Sequence, residues 1–365
     1  MAPEKWVLKR WTEQDFHNNK VLWDTLLEHS GADRLFLSWS WMNQWWQDHK
    51  TPQCTLCIFA LYSGKTLLGV APLYIERDTY VRGLLRTRRL QFIGKRLSYS
   101  SGIRSEYMGF IVHQSYEQPV MERLLDAIAR EPSWSELALF DVDETSSLYK
   151  ALPHWAAARA FHKRHEQAGP TYVVDCRKRF ADYLASLGSN TRLKLYNRRK
   201  VLEQKGRVEL VPLTEVTWQT LIDSLLHWHQ GRWSKCVFGN SSMAFLRAVT
   251  SMPALRDSSL LMLDGVPVSV MVNVRAGKTV YNIQLAFNDD LDKRISMGTL
   301  HLGYVIEQMF LDPAVERFDL LIGKGKHSNY KSHIATQGPM LVSDRWIRRR
   351  PLKWVFQLYD RYCRT

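Results

Sequence analysis

Residues 259–287, SLLMLDGVPVSVMVNVRAGKTVYNIQLAF, read as three strands separated by two tight turns. The runs SLLML (259–263), VPVSVMVNV (266–274) and TVYNIQLAF (279–287) are rich in apolar, β-branched and aromatic residues, and Asp264-Gly265 and Ala276-Gly277 divide them. Glycine supplies the backbone freedom that such turns demand, so the stretch is expected to form an antiparallel meander. A helical segment from about Gly298 to Phe310 follows, and then a further strand, RFDLLI (317–322).

The first half repeats this order without repeating its residues. CTLCIFALY (54–62), the turn Ser63-Gly64 and TLLGVAPLYI (66–75) read as a hairpin; RRLQFIG (88–94) is a third strand. A helical stretch with Val120, Leu124, Leu125 and Ile128 on one face then precedes ELALFDV (136–142). A recurring arrangement of elements says more than any one segment. Each half also opens on helical material. In LFLSWSWMNQWW (35–46), Leu37, Trp41 and Trp45 fall at four-residue spacing, as core residues do; SNTRLKLYNRRKVLEQKG (189–206) has a start signal, a basic run and a closing Gly206. Those charges suit either solvent or a polyanion.

Between the halves, AAARAFHKRHEQAGP (156–170) lacks a clear period and ends in Gly-Pro, which puts a boundary near residue 168. The expected organisation is a first domain over 1–168, a second over 169–344 and a basic tail over 345–365. The fold class is α/β of the α+β kind, each domain a mixed, mostly antiparallel sheet flanked by helices. In the tail, Pro351 is placed to open an amphipathic helix, which either lies on anionic lipid or docks on the protein itself.

Composition bounds the function classes. A chain of 365 residues with 45% apolar residues, 14 of them Trp, has material for two globular cores and excludes a disordered chain. No apolar segment marks a secretory leader or a membrane span, so a cytoplasmic protein, peripheral to the inner membrane face at most, is expected. Five scattered cysteines predict no disulfide framework. Cys54 and Cys57 form a C-x-x-C, yet in a strand these positions face opposite ways, and no paired histidine ligands, phosphate-binding Gly-Lys loop or nucleophile elbow appears, so no metal is expected. The net charge of +14 fits polyanionic partners or plain solubility.

Several segments together resemble the GNAT-like acetyltransferases associated with cellulose and other bacterial exopolysaccharides, themselves similar to Fem-type aminoacyl transferases. They are FLSWSWMNQWW, LLGVAPLYI, RRLQFIG and SEYMGF in the first half, and FADYLASLGSNTRLKLYNRRKVLEQKG, HQGRW, LDGVPVSVMV, SMGTLHLGYVIE and FDLLIG with Tyr330-Lys331 in the second. The resemblance implies two fused GNAT-like domains and transfer of an acyl group from acetyl-CoA or another acyl-CoA to an amine, such as that of an amino sugar. Peripheral contact with an anionic membrane or a polysaccharide synthase complex is the partner expectation. A Fem-type reaction using aminoacyl-tRNA is the alternative within transferases, although no long charged coiled-coil insertion is visible in either half. A non-catalytic pair of domains binding a polyanion or a membrane-bound synthase is the alternative outside them.

Three groups of residues are the candidates for chemistry. Ser296, Gly298 and Thr299 open a helix whose free amides and positive dipole end suit the pyrophosphate of coenzyme A; only one glycine stands there, and Ser296 equally fits an ordinary N-cap. In EVTWQTLIDSLLHWHQGRW, Ile222, Leu225, His229 and Arg232 share a helix face. His229 can take the proton of an attacking amine, and Arg232 with Trp233 can hold the substrate, or the histidine and arginine serve the helix alone. At the last strand, Asp319 is placed to orient substrate, Tyr330 to protonate the departing thiolate and Lys331 to meet a phosphate, with the intervening loop KGKHSN longer than the family's. Glu106 of the first half is the candidate for acceptor binding.

Overall fold

The structure, a computed structural model, describes residues 6–80, 83, 85–96, 103–232, 240–323, 326–348 and 350–363. The chain divides into two compact units: the first holds Met1–Tyr99, Arg104–Gly169 and Pro339–Thr365, the second Ser100–Ile103 and Pro170–Gly338. The cut falls at Gly169-Pro170. The aperiodic stretch around it is no linker, however: His162–Asp175 is one 14-residue strand that begins in the first unit and ends in the second. The strand Thr336–Ile347 makes the return passage, so residues 339–344, expected in the second domain, belong to the first.

In the second unit the strands lie in the order Val208–Pro212, Ser259–Leu263, Val266–Ala276, Thr279–Phe287, Arg317–Ile322 and then the end of His162–Asp175. The expected meander is present, with both turns at their glycines: Gly265 has φ 77° and Gly277 φ 60°. All neighbours are antiparallel except Thr279–Phe287 and Arg317–Ile322, which are parallel. The helix Met297–Leu311 crosses between them and is buried on most of its circumference. Met297 and Leu300 pack with Leu202, Leu261 and Val268, whereas Leu302, Val305, Ile306 and Met309 pack with Val280, Phe318 and Leu320. Each such side chain contributes roughly 1.5–3 kcal/mol on burial, which outweighs the weak amphipathicity of the helix.

The first unit repeats the parallel step. Its sheet runs Thr336–Ile347, Glu136–Asp143, Leu85–Phe92, Leu73–Tyr80, Cys54–Leu56, with only Leu85–Phe92 and Glu136–Asp143 parallel. The expected hairpin is broken at Cys57 and Pro72. Its outer parts join this sheet, while Ile58–Ser63 and Thr66–Ala71 pair in a second, four-stranded sheet with Trp6–Trp11 and Ile111–Val112. The helix Trp39–His49 buries Trp41, Met42, Trp45 and Trp46 as its spacing required.

The two parallel strands share a defect. Phe140 and Asp141 stand opposite the single residue Ser343, and Leu320 and Leu321 opposite Tyr172; the second residue of each pair has positive φ, 56° at Asp141 and 62° at Leu321. A bulge with its second residue left-handed bends the strand at the same point in both units. This equivalence is invisible in the residues themselves.

Candidate functional site

The parallel strands of the second unit pair only at Thr279–Arg317, Val280–Phe318 and Tyr281–Asp319. Beyond Tyr281 the ladder ends, and two bulges account for it. Val272 faces Gln284 and Asn273 faces Asn282, so Ile283 is the extra residue of its strand, and Leu320-Leu321 bulge on the other. Each bulge turns its strand away, which leaves the backbone groups past Tyr281 without the parallel ladder. The sequence signal for this is the pair Asn282 and Gln284, polar interruptions in an otherwise apolar strand.

The helix Met297–Leu311 begins after that strand. Ser296 is its N-cap residue, with φ −79° and ψ 84°, but its side chain caps no amide; the hydroxyl pairs with Thr299 Oγ1 at 2.9 Å. The N-cap side chain therefore leaves the first-turn amides uncapped, a condition that suits an anion. Gly298 is buried, and a Cβ there would meet the Phe287 ring, at 2.8 Å from Cδ1 and 2.9 Å from Cζ. The glycine thus lets the helix start sit against the end of the strand Thr279–Phe287, a packing role beside any role in admitting a ligand.

Tyr330 lies on the helix Lys326–Ile334, which replaces the expected loop from Lys326 onward. Its ring packs against the cluster that contains Phe318, Leu320 and Ile334, and burial pushes its phenol up to about 12. A phenol so placed keeps its proton through the neutral range, as a general acid must.

Two of the expected residues bond to the backbone of the bulge. The ammonium of Lys331, expected to meet a phosphate, is buried and donates to the Leu320 carbonyl and, at 2.9 Å, to the Ile322 carbonyl, holding the two sides of the bulge. Asp319 is 1% exposed, and its Oδ1 accepts the Leu321 amide at 2.7 Å. That bond fixes the left-handed residue of the same bulge, so both side chains shape the cleft through the backbone.

Ile222 and Leu225 are buried on the helix Trp218–Arg232, as their shared face required. His229 and Arg232 are in that helix, but their side chains, and Trp233 altogether, lie outside the described residues. Glu106 belongs to the first unit, is 3% exposed and stands 3.8 Å from Arg104 Nε.

The corresponding place in the first unit is filled. There too the ladder stops after three pairs, at Gln91–Ala138, but Met108 bridges to Val142 in parallel and its amide donates to the Asp141 carbonyl at 2.9 Å. Beneath it Asp141 binds Lys95 and Arg104. Burial pushes the Asp141 carboxyl up, but the two cations outweigh this and hold it at about 2. Among the described residues no group of His, Cys, Asp and Glu is arranged to hold a metal.

Residues 189–332, from the helix Ser189–Arg192 into the helix Lys326–Ile334, match the model of the acetyltransferase (GNAT) domain. The stretch of the second unit that holds the candidate residues is thus similar to a GNAT domain. Over the whole chain the fold is similar to that of FemX, with TM-score 0.64 and 12% identity over 96% of this chain and 100% of that one. It is similar also to a conserved protein of unknown function from Bacteroides thetaiotaomicron VPI-5482, with TM-score 0.53 and 13% identity over 90% and 97%. A tandem GNAT protein from the clavulanic acid biosynthesis pathway aligns with TM-score 0.51 and 13% identity over 95% and 99%. At such identity these likenesses concern the fold alone. None of the curated proteins matches the chain by sequence.

Proposed function

We propose that the chain is an acyl-CoA-dependent N-acyltransferase that works from its second unit and acylates an amine, in particular the amino group of a sugar in an exopolysaccharide or its precursor. The observation that carries this reading is the early end of the parallel ladder at Tyr281–Asp319, next to a helix start that no side chain caps. A thioester supplies an already activated acyl group, and a neutral amine needs no covalent help from the enzyme. The residues have three tasks.

Ser296, Gly298 and Thr299 bring the first-turn amides to the donor's phosphates. Backbone donors near the Ile283 bulge polarise the thioester carbonyl and stabilise the oxyanion. Tyr330 gives a proton to the leaving thiolate, while His229 or an ordered water takes one from the amine. Asp319 and Lys331 act at one remove, by fixing the bulge at Leu320-Leu321. Arg232, Trp233 and Glu106 remain the candidates for holding the acceptor. The first unit, whose equivalent opening is taken by Met108, is a partner in structure or acceptor binding and not a second donor site.

Calorimetric titration with acetyl-CoA, desulfo-CoA and a short RNA tests the reading. Saturable binding of both CoA compounds supports it and directs the search to amino-sugar acceptors. Failure of both, with tight salt-sensitive binding of RNA, rejects it and favours a Fem-type donor.

A further inference from the structure

The C-terminal helix Arg350–Cys363 has two apolar faces, and the fold uses one. Leu352 and Phe356 are buried against Ile347, with Tyr80 and Leu85 beside them, and the Arg164 guanidinium stacks 4.2 Å from the Phe356 ring centre. Asp360, one turn further along the same face, pairs with Arg164 at 2.9 Å and with His162 at 3.0 Å. Lys353 donates to the Ala160 carbonyl at 2.7 Å. Of the two expected outcomes for the tail, docking on the protein's own surface is therefore realised.

Docking leaves Trp354 60% and Leu358 57% exposed, and Val355 and Tyr359 are exposed with them. Trp354, Leu358 and Arg361 recur at i, i+4 and i+7, on the face opposite Phe356. Among the described residues, the other large exposed apolar side chains are single or, at Val7 and Leu8, adjacent along a strand, and so face opposite sides; a stripe on one docked helix face is different. The one acidic residue of the helix, Asp360, is turned inward by its ion pairs, so the outer face offers Arg361 and no carboxylate.

We infer that this outer face seats the protein on an anionic lipid bilayer, with the helix lying in the interfacial plane while its inner face stays docked. The chemistry matches that surface: Trp354 favours the headgroup level, Leu358 enters the acyl boundary, and Arg361 meets anionic headgroups. The net charge of +14 adds a long-range attraction of the same sign. The inference stands apart from the catalytic reading, since it uses none of the residues of the donor cleft.

Flotation of the full chain with vesicles of phosphatidylcholine, alone or mixed with phosphatidylglycerol, tests it. We expect binding to the mixed vesicles only, weakening with salt. Trp354→Glu with Leu358→Glu is expected to lower apparent vesicle affinity by at least about tenfold, and Arg361→Glu by several-fold, at unchanged thermal midpoint because all three side chains are exposed. Phe356→Ala loosens the docked face and is expected to lower the midpoint without raising vesicle affinity. No flotation with anionic vesicles, equal flotation of the Trp354/Leu358 variant, or a gain of affinity in Phe356→Ala would each overturn the proposal.

Discussion

Gly303 of the helix Met297–Leu311 lies so close to Leu195 that a Cβ would fall inside van der Waals distance of the Leu195 carbonyl oxygen, with the carbonyl carbon at 2.9 Å. Leu195 sits in a π-helical turn, Leu193–Asn197, within what the sequence suggested was one continuous helix over 189–206. In an exposed helix a change from Gly to Ala is worth up to about 1 kcal/mol of stability. Here the obstacle is backbone, which cannot rotate aside. Gly303→Ala is expected to destabilise by at least about 3 kcal/mol, read as a shift of the chemical-denaturation midpoint.

Thr299→Glu separates binding from folding. A carboxylate in the first turn of the helix Met297–Leu311 suits the helix dipole, so the thermal midpoint is expected to hold or rise slightly. The same charge repels phosphate, and acetyl-CoA affinity is expected to fall by at least about tenfold. Unchanged affinity would remove the donor phosphates from this helix start.

Tyr330→Phe keeps the buried ring and removes the proton. Under the general-acid assignment kcat is expected to fall about 100-fold with little change in KM for the acyl donor. Because burial holds the phenol near 12, no loss of activity from Tyr330 is expected below about pH 11. A rise in KM alone would move the tyrosine out of the chemistry.

His301 gives a pH dependence unconnected with catalysis. It is buried, with Nε2 3.0 Å from Ser259 Oγ and Nδ1 2.8 Å from Ser269 Oγ, and burial pushes its pKa down from 6.5 to about 3. The unfolded chain takes up this proton first as pH falls, so the stability it contributes is present above about pH 6.5. Between there and about pH 3 the unfolding constant is expected to rise up to about tenfold per pH unit. In a variant with His301→Gln, urea midpoints measured across that window are expected to lose this part of the slope.

Asp141→Asn tests the buried cluster of the first unit. Asparagine tolerates the left-handed φ of 56°, so the backbone is spared, but Lys95 and Arg104 lose the carboxylate they share, leaving Arg104 only Glu106 at 3.8 Å. Destabilisation of about 3–5 kcal/mol is expected by denaturant titration, because a cation left buried costs more than the pair contributed.

Local pattern determined a good deal of this. The meander over 259–287, the helices around Trp41 and Leu225 and the strand RFDLLI were legible because strand and helix periods, turn glycines and apolar spacing act over a few residues. The doubled order of elements was legible for the same reason. The strand His162–Asp175 was not: its first half, HKRHEQ, is polar because Arg164 and His165 find buried or half-buried acidic partners in Asp360 and Asp344, far along the chain. The basic run at 189–206 suited solvent or a polyanion, yet Arg199 lies against the rings of Tyr196 and Tyr304 and pairs with Glu307.

The sequence alone therefore determined most of the local elements and which residues of the second half are candidates for a site. Only tertiary structure decided what those residues do. Lys331 and Asp319 carry charges that suit a ligand, but a buried charge must first be satisfied, and the nearest groups able to do so were the backbone carbonyls and amide exposed by the bulge at Leu320-Leu321. Likewise only the closed fold shows that Met108 fills the opening of the first unit while the second has its ladder ended by two bulges, since bulges and bridges are relations between distant strands that no single segment encodes.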